Sequence, residues 1–192
     1  MRRLLVLVLV ATVLAACGSD RAASDTVAGK KYVDALMVSY RTGQAKNAFT
    51  PSQAQCLSER VVDAAGTAGL KDVGLKPSDL DHGSSFKTIG SKLSKADAKK
   101  VATAIVDGDC VNPGDALLKA GVGRNRAFVK FPKPAVTCLF RTLGRPQAAR
   151  RAFADSLLGL PQGDAEFTKS FQDQKTFRRT AATCKVDPAL LK

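Results

Sequence analysis

His82 is the only histidine in the 192-residue chain, and it sits in the run Leu80-Asp81-His82-Gly83-Ser84-Ser85. A histidine, a carboxylate and a hydroxyl are the parts of a nucleophilic hydrolase, but such parts act only when a fold brings them together. Neighbours on one loop do not converge in that way, so the expectation here is a surface loop. Asp107 and Asp109 come nearest to the paired carboxylates of general acid–base chemistry. Two positions apart at a predicted helix end, they do not share a face, and helix-end solvation is the simpler account. Gly121-x-Gly123 lacks the third glycine and the preceding strand of a phosphate cradle. There is no calcium loop, P-loop or paired-cysteine zinc spacing. The residues therefore predict no catalytic centre, no metal site and no cofactor, in a chain that is not an enzyme.

The remaining chemistry is electrostatic. The chain carries 30 basic and 17 acidic residues, and the excess is uneven. From Lys119 onward there are 15 basic residues against 5 acidic ones. Arg124, Arg126, Lys130, Lys133, Arg145, Arg150 and Arg151 form the candidate anion-binding set, interleaved with Phe128, Phe131 and Phe140. Lys and Arg mixed with aromatic rings suit an anionic bilayer, where each charge contributes about 1 kcal/mol near the surface and rings enter the interface. A wall polymer or an acidic protein offers similar charge. The bland alternative is a solvated face, with Phe131 and Phe140 in the core.

The chain opens MRRLLVLVLVATVLAAC: two arginines, an apolar run from Leu4 to Leu14, two small residues and a cysteine. The run is shorter than the ~20 residues of a bilayer span and has the flanks of a secretory signal. Leu14-Ala15-Ala16-Cys17 resembles the bacterial lipobox. That resemblance implies cleavage after residue 16 and diacylglycerol on Cys17, with the protein held by this lipid on the extracytoplasmic face of the cell membrane. The mature chain would keep 28 basic residues against 17 acidic ones, net +11. Nucleic acid, the usual partner of such charge, is not expected in that compartment. Cys56, Cys110, Cys138 and Cys184 then read as two disulfides, and spacing alone leaves three pairings open.

The positioning elements read as helices throughout. Tyr32, Leu36 and Tyr40 recur at four-residue spacing after a cap at Ser24 or Asp25, with Gly43 as the stop. Thr50-Pro51 with Gln53 is a capping box with proline in the first turn. Residues 67–93 look irregular, with a short helical piece at most. Ser94 with Asp97 opens a helix bearing Ala98, Val101, Ala102 and Ile105 on one face. Asn112-Pro113 leads into a short helical run, and residues 121–134 read as an exposed connector. Further helices follow from Pro134, from Arg145 to Gly159, and as one long element from Gly163 to Cys184. No segment has the two-residue alternation of a strand, so the expected fold class is all-α.

Two halves of the chain can be superimposed in sequence. Phe49 precedes Cys56 by the same interval as Phe131 precedes Cys138, a proline follows each Phe, and a leucine follows each Cys. After the closing cysteines, Asn112-Pro113-Gly114-Asp115-Ala116-Leu117-Leu118-Lys119 matches Asp187-Pro188-Ala189-Leu190-Leu191-Lys192. A duplicated unit with its own two cysteines pairs Cys56 with Cys110 and Cys138 with Cys184, each bridge contributing about 3–4 kcal/mol by loop entropy. The resulting division is a signal over 1–16, a lipidated cysteine and flexible tether over 17–24, a first repeat over 25–120, a basic connector over 121–133 and a second repeat over 134–192.

YVDAL (32–36), CLSERVVDAAG (56–66), GLKPSDL (74–80) and GDC (108–110) resemble a class of small exported actinobacterial proteins, over most of residues 25–119. The resemblance implies compartment and helical fold, not an activity. The second copy lacks the VVDAAG and PSDL pieces. The expected function is a lipid-anchored, non-catalytic binding or structural module that engages an anionic envelope partner. The alternative is an envelope hydrolase or small-ligand carrier with a pocket between the two repeats.

Overall fold

Caps and helix breakers set the element boundaries in the computed structural model, which describes residues 22–42, 48–125 and 127–187. Ten α-helices and no strand occur among them. The signal segment, Cys17, Gly43 and Arg126 lie outside the described residues. Helix α1 (Val27–Thr42) is followed by α2 (Pro51–Ala65), α3 (Thr67–Asp72), α4 (Ser85–Lys92), α5 (Lys95–Asp107) and α6 (Pro113–Lys119). After a connector come α7 (Lys133–Gly144), α8 (Gln147–Leu157), α9 (Gly163–Gln172) and α10 (Gln174–Thr183).

The predicted caps at α2 and α5 form. Thr50 Oγ1 accepts from the Gln53 amide while Gln53 Oε1 accepts from the Thr50 amide, and Pro51 occupies the first turn. Ser94 Oγ accepts from the Asp97 amide. At α1 the cap is Thr26, whose Oγ1 accepts from the Gly29 amide, instead of Ser24 or Asp25. The flexible tether expected through Ser24 ends sooner: Ala23–Asp25 is a 3-10 turn, and the buried Ser24 donates its amide to Asp63 at 2.7 Å. Residues 67–93 are more helical than their glycines and proline suggest, because Leu70, Leu80, Phe86 and Ile89 each find the core. The element expected over 163–184 is two helices. Asp173 leaves helical dihedrals and caps α10 through Thr176, whose hydrogen bonds hold its carboxyl below the usual range.

Two disulfides, Cys56–Cys110 and Cys138–Cys184, are present in the predicted pairing. Each joins the helix bearing the first cysteine to the turn after a later helix, α5 in one case and α10 in the other. The loops they close, 54 and 46 residues apart in sequence, correspond to about 4 kcal/mol each by loop entropy. Val111 and Val186, just beyond the closing cysteines, are both buried.

Two apolar clusters lie behind these staples. The larger takes α1 to α6 together with Phe153, Ala154 and Leu158 of α8. The smaller contains Leu139, Leu143, Ala181, Cys184 and Val186, with Phe131, Phe171 and Phe177 against it. Helix α8 thus carries the second half of the chain into the core of the first. Two glycines permit the closest approaches between the halves. A Cβ on Gly90 would lie 2.0 Å from the Leu158 carbonyl oxygen, and one on Gly114 would lie 1.9 Å from that of Phe140.

Helix α1 supplies a test of this packing. Tyr32 and Tyr40 are both buried, and the Tyr32 hydroxyl donates to the Leu75 carbonyl at 2.7 Å while that of Tyr40 has no hydrogen-bond partner among the described residues. Burial raises both phenols above their ordinary value of 10.0, with the Asp79 charge adding at Tyr32. A raised phenol contributes stability that is complete below that ordinary value and is lost as pH climbs through the folded-state value. Tyr32→Phe is expected to cost about 1–3 kcal/mol, because it strands a buried carbonyl, whereas Tyr40→Phe is neutral or stabilising. Urea unfolding at neutral pH measures both.

Candidate basic apolar site

The turn between α6 and α7 builds the site. Gly121 adopts φ 96°, opening a 3-10 turn over Val122–Arg124. Asn125 then holds the chain by accepting the Ala127 amide on Oδ1 and the Phe128 and Val129 amides on its carbonyl. Pro132 and Pro134 flank the start of α7, where a missing amide costs nothing. The connector over residues 120–132 folds back so that α6 and α7 pack against each other. Arg141 Nε reaches Asp115 at 2.6 Å, and Asn112 Nδ2 donates to the Arg141 carbonyl.

Between these elements lies a cavity of about 330 Å³. Leu118 closes it from α6, and Val136 and Thr137 close it from α7. Phe128, Val129 and Phe131 line it from the connector, with Gly123 in the 3-10 turn. Among the described residues, the charged ones on its lining are Arg124 and Lys133, both basic and both exposed. Val129 is 63% exposed, the most open large apolar residue of the second half among those described. Phe128 is half-buried, with its ring 5.2 Å from that of Phe140.

The predicted basic set divides. Arg124 and Lys133 share the cavity, and Lys130 is exposed next to lining residues. Arg145 is exposed at the far end of α7, about 18 Å from Lys133 by helical rise. Arg150 and Arg151 are half-buried and internal. Arg150 donates to the Val106 carbonyl and meets Asp109 at 3.1 Å. Arg151 meets Asp155 at 3.2 Å and donates to Thr103 Oγ1 at 2.8 Å. These two arginines tie α8 to α5, with their guanidinium groups engaged by protein partners. Phe140, expected among interface-dipping aromatics, is 4% exposed and belongs to the interior. The residues the sequence did not single out are Leu118, Val129, Val136 and Thr137. Only the α6–α7 pairing brings them together, and a short connector between two helices was the available signal.

The other candidates sit as follows. His82 Nδ1 pairs with Asp81 at 2.5 Å, with both side chains more than half exposed. Ser85 is buried and donates to the Leu80 and His82 carbonyls, away from the imidazole. A polar groove of about 610 Å³ runs between α4 and the α8–α9 turn, lined by Ser84, Thr88, Ser91, Gln162 and others. Lys87 faces Asp164 there at 3.9 Å, and the Thr88 and Ser91 hydroxyls donate to carbonyls of their own helix. No group of three or more metal-ligating side chains occurs among the described residues, nor a helix long and apolar enough to cross a membrane. No known protein family, characterised protein or solved structure matches the chain.

The two classes of arginine should separate in stability. Arg150→Ala is expected to cost about 1–3 kcal/mol, because it removes charged hydrogen bonds from a half-buried carbonyl and Asp109. Arg124→Ala should stay within about 0.5 kcal/mol, as surface changes do. Chemical denaturation of the two variants beside the parent decides the division.

Proposed function

We propose that this chain is a secreted lipoprotein, anchored through diacylglycerol on Cys17 at the extracytoplasmic face of the cell membrane. In this reading it is a non-catalytic helical module that engages an anionic surface. The observation that carries the proposal is the exposed, one-signed group formed by Arg124, Lys130 and Lys133 around exposed Val129. Cations beside an apolar residue suit the boundary between head groups and chains. The resemblance of residues 32–110 to small exported actinobacterial proteins belongs to the same reading.

The anchor favours weak contacts. Six residue steps lead from Cys17 to Ala23, where the first helical turn begins, so a full extension is about 20 Å. A patch held that near a membrane meets it at high effective concentration. Single contacts of about 1 kcal/mol per cation then suffice. The carrier or hydrolase alternative has its inter-repeat groove in the α4–α9 region. The Thr88 and Ser91 hydroxyls of that groove, however, are spent on backbone carbonyls, and the Ser85 hydroxyl donates to the Leu80 and His82 carbonyls and not to the His82 ring. We therefore favour the surface reading.

The test uses residues 18–192, oxidised and without lipid, a span that contains every described contact. Sedimentation with vesicles of anionic or neutral phospholipid, and with isolated cell wall, is measured at low and at 0.15 M salt. Binding to anionic vesicles that falls with salt, and that is lost in an Arg124→Glu, Lys130→Glu, Lys133→Glu triple variant, is the expected result. Equal binding by that variant, or no binding to any anionic fraction, overturns the proposal. Binding to wall alone moves the partner from lipid to polymer.

A further inference from the structure

The surface reading leaves the interior of the α6–α7 site unused. A cavity of about 330 Å³ is at the small end of ligand sites, which run from ~300 to ~1,000 Å³. Its walls are the side chains of Leu118, Phe128, Phe131 and Val136, with the cations Arg124 and Lys133 on the lining and no acid among the described lining residues. Gly123 keeps the floor open, since a Cβ there would come within 3.1 Å of Leu118 Cδ2. An apolar hole bounded by positive charge, with an exposed valine in its lining, matches a molecule that has one hydrocarbon chain and an anionic head.

We propose that this cavity takes a single acyl chain of an anionic membrane lipid, with its phosphate held by Arg124 and Lys133. The inference rests on the surface reading above and adds a defined subsite to it. The volume admits one chain, not a whole diacyl lipid, so the second chain stays in the bilayer. Val129 is placed to enter the same apolar layer. The cations give charge selectivity, and the cavity gives a dependence on chain length that a flat basic surface lacks.

Calorimetry of residues 18–192 with dodecyl phosphate below its micelle concentration tests the pocket without a bilayer. One-to-one binding with a negative heat-capacity change is expected. Butyl phosphate should bind at least tenfold more weakly, because most of the chain contact is gone. Dodecyltrimethylammonium should not compete. Thr137→Trp, which fills the cavity from α7, should abolish dodecyl phosphate binding while leaving low-salt sedimentation with anionic vesicles largely intact. Val129→Asn, a neutral polar change at a residue 63% exposed, should weaken chain binding at least fivefold and serves if Thr137→Trp does not fold. Equal affinity for dodecyl and butyl phosphate, or unchanged binding in both variants, overturns the subsite and leaves the surface reading standing. Dodecyl phosphate binding without any vesicle association would do the reverse.

Discussion

A continuous chain of eight aromatic rings runs through both apolar clusters. It passes from Phe86 to Tyr40, Phe49, Phe153, Phe167, Phe171, Phe140 and Phe128, with neighbouring centroids 5.2–6.4 Å apart. Most contacts are edge-to-face or tilted, the arrangements the ring quadrupole prefers. Phe153 is the joint. It lies on α8, in the second half of the chain, and its ring meets Phe49 of the first half at 6.1 Å. Burying one such ring contributes about 1.5–3 kcal/mol. In a protein without tryptophan, these rings supply much of the bulk that links the two stapled halves.

The site depends on that joint through α7. Phe140 anchors the middle of α7, while the Gly114 contact and the Arg141–Asp115 pair fix its angle to α6. Once α6 and α7 are held side by side, the intervening chain must fold back over their exposed ends. Gly121 makes the first bend and Asn125 the second, which leaves Arg124 and Lys133 on one opening. The cavity is thus a consequence of closing a short connector over two helices whose apolar ends are not fully covered.

Local signals proved sound wherever a few consecutive residues decide the outcome. Thr50-Pro51-x-Gln53 and Ser94-x-x-Asp97 cap as written, and the apolar stripes of α1, α2 and α5 are buried. The disulfide pairing followed from a duplicated frame, and the observed bridges agree with it. Boundaries set by competition were not legible. Asp173 could sit inside a long helix or cap a new one, and it caps because Phe167 is drawn to the large cluster while Phe177 and Ala181 pack on the small one. Helix α4 was hidden for a related reason. Its short run between Gly83 and Ser94 has weak intrinsic preference, and burial of Phe86 and Ile89 supplies the stability.

The basic excess illustrates the same division between local and tertiary information. A run of one-signed residues reads as a single patch in sequence, yet the fold sorts it by distance to acids of the first half. Asp109 and Asp115 stand near the inter-half surface and engage Arg150 and Arg141. Helical periodicity turns Arg150 and Arg151 toward α5, where a carbonyl, a hydroxyl and a carboxylate await them. Among the described residues no acid pairs with Arg124, Lys130 or Lys133 of the connector. Arg124, Lys130 and Lys133 therefore keep their charge at the surface, concentrated beside the one apolar opening in that part of the fold. Internal pairing has reduced a diffuse run in sequence to a compact cationic rim in the fold.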